Sequence, residues 1–400
     1  MSEAREVVIV SAVRTPYGKF GGALRDVPGV DLAAHVIRQV LERAAITADR
    51  VDEVYLGTCV PAETGPIAPV VARQALLKAG LLDQTVSLTL DRACCSSMTA
   101  IQMAARSIRL GEADVALAVG AENLSRVPYV VPQLRWGARM GHVTIQDGLQ
   151  MVYPGHKPVS VDTGLIALDH GIGREDLDAW AYRSQMNYQE ALKAGKIASE
   201  VAPLELPSKK GPVIFDQDEF PKPDTTLEAL AKLPTVYGSP TVTAGNAPGL
   251  DAGATAIALM SREKANAMGL KVLATVLTVA SVAGEPRDIV TIPAKAIEKA
   301  LGRVKLTVDD LKLIEINEAF AAMPLVSTKL LGQGDAARVA AIRERTNVNG
   351  GAIAIGHPVG ASGARIVMAL VNELARRGGG VGAASICGGL GQGDCTLVRV

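Results

Sequence analysis

The sequence predicts an α/β fold made of two similar halves, with a further region inserted into the first. Three observations carry this expectation. Short β-branched runs alternate with amphipathic helical patterns at both ends of the chain. Each end places a small-residue loop, CCSSM in one and GASGAR in the other, just before its last long helix. Between the two ends the texture becomes proline-rich and charged.

In the first third, Glu6–Val13 (EVVIVSAV) reads as a strand, Leu32–Ala44 as an amphipathic helix and Val51–Thr58 as a second strand. Thr99–Arg109 follows as a helix and Val115–Val119 (VALAV) as a buried strand, a succession that predicts a mostly parallel sheet flanked by helices. The last third repeats this order. Lys271–Val282 is strand-like, Ala294–Ala300 helical and Leu311–Ile316 a strand, then Ala364–Arg376 a helix before closing strands at Val381–Cys387 and Cys395–Val400. The stretch from Asn123 to Thr243 holds both tryptophans and segments such as Pro207–Pro223, and embeds one helix, Arg174–Ala194. Gly253–Met260 resumes the buried strand pattern, so the middle reads as an insertion rather than a terminal domain. The expected division is 1–122 plus 250–271 for the N-terminal half, 123–249 for the inserted loop domain and 272–400 for the C-terminal half.

Lys+Arg and Asp+Glu both number 41, and this balance argues against nucleic acid or an anionic membrane as the main partner. The start, MSEAREVVIVSAVRTP, has no basic segment leading into an apolar core and cleavage site, so an export signal is not expected. No run approaches the 18 or so apolar residues of a membrane span. Five scattered cysteines, Cys59, Cys94, Cys95, Cys387 and Cys395, form no C-x-x-C pair and have no histidine at ligand spacing. Neither a disulfide framework nor a zinc site is expected, and the chain reads as a cytoplasmic enzyme with reduced thiols.

Cys94 lies where the strand-like Val86–Leu90 gives way to a helix starting near Ser97. The positive end of that helix is expected to stabilise a thiolate, and the small neighbours Ala93, Cys95, Ser96 and Ser97 leave room for a substrate. His357 lies in NVNGGAIAIGHPVGASGA, where glycines bracket one histidine followed by proline. Histidine is the natural base for a cysteine nucleophile near neutral pH. Cys387 ends a buried strand in ICGGLGQG, whose glycine spacing is not that of a dinucleotide loop. Asn317 opens NEAF directly after LKLIEI, so its amide projects from a strand end.

Taken in order, these stretches resemble the thiolases over essentially the whole chain. The resemblance is carried by EVVIVSAVRTPYGKFGGAL, RACCSSMTAIQMAA, PKPDTTLEALAKL, TVTAGNAPG, NEAFA, NVNGGAIAIGHPVGASGAR and ICGGLGQG. It implies a five-layered αβαβα fold of two βαβαβαββ halves with a loop domain inserted in the first. It also implies Claisen chemistry on 3-oxoacyl-CoA through an acyl-cysteine. Cys94 would attack the thioester and His357 would take its proton. Asn317 would hold a water that, with His357, binds the thioester oxygen. The N–H groups of Cys94 and Gly389 would form a second oxyanion hole, and Cys387 would be the acid/base for the carbon–carbon step. Coenzyme A is then a substrate, with no permanently bound cofactor and no metal. A homodimer or homotetramer is implied, and an accessory subunit is a further expectation.

The resemblance also places Lys222 near the CoA phosphates, with Ala244, Pro248 and Phe320 on the substrate path. The periphery departs from the family pattern. Pro248 stands where a CoA-contacting serine is usual, Val159–Leu165 (VSVDTGL) replaces MGxTAEN, and Glu285–Ala294 is a shortened pocket loop. Leu390 interrupts the glycine run, and Asp91 replaces asparagine before the nucleophile. The expected substrate is therefore a longer, branched or aromatic 3-oxoacyl-CoA rather than acetoacetyl-CoA. Two competing readings are a ketoacyl-synthase-type enzyme, which would need a second histidine, and a non-catalytic carrier or scaffold, which would be expected to lose Cys94 or His357.

Overall fold

The computed structural model describes residues 5–65, 69–150, 153 and 155–400. The charged start Met1–Ala4, read above as part of a segment without an export signal, lies outside them. The N-terminal half contributes β1 (Val7–Arg14), α1 (Gly29–Arg43), β2 (Glu53–Gly57), α2 (Val71–Ala79), β3 (Val86–Leu90), α3 (Ser96–Leu110) and β4 (Val115–Asn123). The inserted region carries α4 (Val159–Asp169) and α5 (Arg174–Lys193). After it come β5 (Ala252–Ser261), β6 (Ala274–Ala283), α6 (Ile292–Val304), β7 (Leu311–Ile316), α7 (Ser362–Arg376), β8 (Val381–Gly388) and β9 (Gln392–Arg399).

The nine strands lie in the order β7-β8-β9-β6-β1-β5-β4-β2-β3. Reading outward from the centre, β1-β5-β4-β2-β3 mirrors β6-β9-β8-β7, and the missing fifth position is a parallel bridge from Ile314 to Thr346. The two halves therefore share one topology and meet where β1 touches β6 through Val8–Thr275 and Ile9–Ala274. The expectation of a mostly parallel sheet is corrected. Only β2–β3, β2–β4 and β7–β8 are parallel, while β1, β5, β6 and β9 pair antiparallel. The cause is plain for β8 and β9, which are joined by residues 389–391 alone, too short for a parallel crossover.

Three apolar cores stack the layers. One packs Leu32, Val36, Ile37 and Val40 of α1 and Leu76 of α2 on the outer face of the N-terminal strands. A second buries Ile101, Ala104 and Ile108 of α3 with Ile366, Leu370 and Leu374 of α7 between the two sheets. The third packs Ile297, Ala300 and Leu301 of α6 on the outer C-terminal face. The result is the αβαβα sandwich. Within the central layer α3 and α7 approach so closely that a Cβ on Gly363 would sit 2.6 Å from the Met98 nitrogen, and a Cβ on Gly120 of β4 would collide with the Gly360 carbonyl just before α7. The small-residue loops visible in the sequence are the contact between the two halves.

The inserted region is tied down by buried charge. Arg14 is fully buried and pairs with Asp218 through two bonds, Nη1–Oδ1 at 2.6 Å and Nη2–Oδ2 at 2.9 Å. Asp218 also accepts from the Tyr17 amide and the Tyr188 hydroxyl, both at 2.8 Å. Breaking the pair leaves the buried cation with Glu200 alone, 3.5 Å from its Nε, so Asp218→Ala is expected to lower unfolding free energy by about 3 kcal/mol. Urea unfolding at pH 7 measures this, and a loss below about 1 kcal/mol would show that water reaches Arg14.

Two local expectations change. Val159–Leu165 begins helix α4, which periodicity did not announce; its β-branched residues and glycine are poor helix formers, and packing against Pro286–Val290 prevails over propensity. Glu285–Ala294 is a 3₁₀ turn (Pro286–Val290) running into α6 at Ile292 rather than an open loop.

Candidate active site

Cys94 sits on the turn between β3 and α3, preceded by Ala93 at φ +49°, a left-handed conformation that a residue with a Cβ adopts at some strain. The turn is knitted by its own side chains. Asp91 Oδ1 accepts the Ala93 N–H at 2.8 Å, while Ser96 Oγ accepts the Arg92 N–H at 2.8 Å and donates to the Ala93 carbonyl at 2.7 Å. Cys95 turns inward and donates to the Ile386 carbonyl at 3.5 Å, which makes it a packing residue.

The His357 loop reaches this turn from the other half. His357 Nε2 lies 3.3 Å from Cys94 Sγ. On the opposite side of the ring Nδ1 lies 2.6 Å from Ser362 Oγ, whose own proton goes to the Pro358 carbonyl at 3.1 Å. Ser362 is thus an acceptor for Nδ1–H, which leaves the Nε2 lone pair facing the thiol. The loop backbone is fixed by two buried carboxylates. Asp251 Oδ2 accepts the His357 N–H at 2.9 Å, and Glu122 accepts the N–H groups of Gly360, Cys59 and Val60 and the Thr58 hydroxyl. Burial pushes Asp251 up to about 7.

The expectation that the helix end favours a Cys94 thiolate is corrected. Cys94 keeps some accessible surface, yet burial of the sulfur dominates, with Glu122 and Asp91 adding negative charge, and its thiol is pushed up to about 12. Burial and then the Arg365 cation press His357 down to about 3. At pH 7 these shifts pair a neutral thiol with a neutral imidazole. In the free enzyme, iodoacetamide labelling of Cys94, followed by peptide mass spectrometry, is expected to quicken about tenfold per pH unit between pH 6 and 9. A flat rate from pH 6 upward would mean a preformed thiolate.

Cys387 is the last residue but one of β8 and is fully buried, and its thiol is raised by burial and then by the charge of Cys94. The Cys94 and Gly389 amide N–H groups meet no protein acceptor among the described residues. Gly389 is covered by Tyr153, whose hydroxyl would lie 1.8 Å from a Cβ at that position. Asn317 is fully buried after β7, with its N–H on the Ser385 carbonyl at 3.0 Å and its Nδ2 without a partner among the described residues. The next residue, Glu318, accepts from Trp180 Nε1, Ser184 Oγ, Asn347 Nδ2 and the Ile353 N–H, anchoring NEAF to α5.

The expected substrate residues lie further out. Lys222 is exposed, with its ammonium 4.9 Å from the Phe220 ring centroid. Ala244 is exposed, Pro248 half-buried, and Phe320 half-buried against the C-terminal core. None of the four is bonded to the Cys94–His357 pair. Sequence reasoning missed Ser362, Asp251, Glu122, Tyr153 and Arg365. Ser362 and Arg365 were within the quoted GASGAR stretch, where their polarity amid small residues was the available signal; Asp251 and Glu122 gave none, because only the folded chain brings them to the loop. Among the described residues no group of metal-ligating side chains is present, and no helix is long and apolar enough to cross a membrane.

A cysteine on a strand-to-helix turn with an imidazole on its sulfur, and a second buried thiol that feels its charge, is an arrangement suited to acyl transfer. The comparisons show the same class of protein. Residues 7–263 match the thiolase N-terminal domain and residues 270–400 the thiolase C-terminal domain. The chain is 40% identical to the acetyl-CoA acetyltransferase of Syntrophomonas wolfei, over 99% of both chains. It is 43% identical to the β-ketoadipyl-CoA thiolase of Pseudomonas knackmussii, again over 99% of both. A crystal structure of human mitochondrial 3-ketoacyl-CoA thiolase in complex with CoA superposes with a TM-score of 0.93 at 35% identity, covering 100% of this chain and 99% of that one. The chain belongs to the thiolase family and is a CoA-dependent acyltransferase, so the ketoacyl-synthase and carrier readings fall away.

Proposed function

We propose that Cys94 carries the acyl group of a ping-pong thiolase reaction, in which His357 takes the Cys94 proton as the sulfur attacks the thioester carbonyl. The 3.3 Å contact between His357 Nε2 and Cys94 Sγ, with Ser362 fixing the tautomer, carries this reading. The N–H groups of Cys94 and Gly389 stabilise the tetrahedral oxyanion, and Asn317 with His357 serves the thioester oxygen. Cys387 then protonates the departing carbon, or removes the α-proton in the reverse direction. Coenzyme A is the second substrate, and Lys222 serves its phosphate end from an exposed position. On this reading the halves run 1–122 plus 250–271 and 272–400, with 123–249 as the covering loop domain. The assembly is a cytoplasmic homodimer or homotetramer in which the edge strand β3 is covered by its counterpart, since Val86 and Leu88 project exposed from it.

The substrate is a 3-oxoacyl-CoA larger than acetoacetyl-CoA. Leu390 adopts φ +60° in the turn after Gly389 and lines a small cavity with Tyr153, Val159, Pro286 and Ile289. A leucine held in this conformation is retained against about 1 kcal/mol of backbone strain, which supports a role in shaping the acyl pocket. Thiolysis of a panel of linear, branched and ω-carboxylated 3-oxoacyl-CoAs tests this. A longer member is expected to give the highest kcat/KM, and a best rate with acetoacetyl-CoA would refute it.

A further inference from the structure

Strand alternation puts Leu313, Glu315 and Asn317 on the same face of β7 and its continuation. That face looks into the central layer, where Leu313 joins the core between the sheets, and α7 brings Arg365 to it from its first turn. All three polar groups are buried, Asn317 at 0% exposure, Arg365 at 3% and Glu315 at 4%. Arg365 Nη1 lies 3.7 Å from Glu315 Oε2, and Nη2 lies 3.5 Å from Asn317 Oδ1. The same guanidinium is the cation that acts on His357. Three buried atoms that make no hydrogen bond among the described residues belong to this cluster: Asn317 Nδ2, Arg365 Nε and Glu315 Oε2.

A guanidinium has donors and no acceptor, so an amide beside it must present its oxygen. With the amino group toward Arg365, Asn317 would set two donors against a buried cation, and Oδ1 would lose its one hydrogen bond among the described residues. Glu315 is the carboxyl that faces the guanidinium, 3.7 Å away; burial pushes it up to about 8, and in its ionised form it supplies the counter-charge that a buried cation requires. We propose that Arg365, clamped by Glu315, is the positioning residue that fixes the Asn317 amide with Oδ1 inward and the Nδ2 donor toward the reacting centre. Arg365 touches no reacting atom in this account; it acts through Asn317. The proposal deepens the reading of Asn317 given above and rests on it.

The test is a double-mutant cycle on the full-length enzyme, read as thiolysis of 3-oxohexanoyl-CoA by CoA. Removing Arg365 alone would strand Glu315 in the core, so the working variant is the charge-neutral pair Glu315→Gln/Arg365→Met. Asn317→Ala is expected to lower kcat by about 10²-fold or more, the scale of losing one oxyanion donor. The pair variant is expected to lower kcat by about 10- to 100-fold, the scale of misplacing such a group, with KM for CoA changed less than about threefold. Added to Asn317→Ala, the pair should cost less than about threefold more, because the donor it positions is already gone. Multiplicative losses in the triple variant would overturn the proposal alone. So would a rise in KM for CoA as large as the fall in kcat, which would mark general damage to the fold. Unchanged turnover in Asn317→Ala would overturn the reading of Asn317 and this proposal with it.

Discussion

Replacing Cys94 by alanine is expected to reduce thiolysis by about 10⁴-fold or more, with CoA still bound at close to its normal affinity. The size follows from the site. Cys94 is the thiol placed 3.3 Å from the Nε2 of a histidine whose tautomer is set by Ser362. Cys95 cannot substitute, because its sulfur is turned to the Ile386 carbonyl in the core. Cys59 is a half-buried thiol against Ser96, raised by burial and by Glu122, and no imidazole is bonded to it. Retention of more than a tenth of wild-type turnover in Cys94→Ala would remove Cys94 from the mechanism.

Cys387→Ala is expected to lose carbon–carbon cleavage by about 10³-fold or more while still exchanging acetyl groups between acetyl-CoA and labelled CoA within about tenfold of wild type. Thioester exchange needs a nucleophile and its base, and these are Cys94 and His357. Forming or breaking the carbon–carbon bond needs a proton at the α-carbon, and Cys387 is a fully buried thiol raised by burial and then by the charge of Cys94. Equal loss of exchange and cleavage would contradict this division of labour.

Much of the fold was legible because the chain states it twice. The strand at Leu311–Ile316 and the α5 helix fall within a residue or so of their expected bounds, since β-branched runs and long periodic helices are strong local signals. The antiparallel pairings were not legible: periodicity reports burial, and strand direction depends on the length and path of connections such as the turn at residues 389–391. The sequence singled out Cys94 and His357, which the fold brings together, but not their electrostatic state. A helix N-terminus suggests an acidic thiol, whereas burial by elements distant in sequence, with Glu122 and Asp91 nearby, wins at Cys94. Glu122, Asp251 and Glu318, which hold the catalytic loops, are ordinary acidic residues in the sequence; each acquires its function from backbone N–H groups that only the fold delivers.

The central claim is that one sulfur, Cys94 Sγ, carries the acyl group, and intact-protein and peptide mass spectrometry after brief incubation with acetyl-CoA tests it most directly. The account predicts one acetyl group per chain, on Cys94, discharged by added CoA, retained in Cys387→Ala and missing in Cys94→Ala. An acetyl group on Cys387 or Cys59, or none on Cys94 under conditions of turnover, would contradict it.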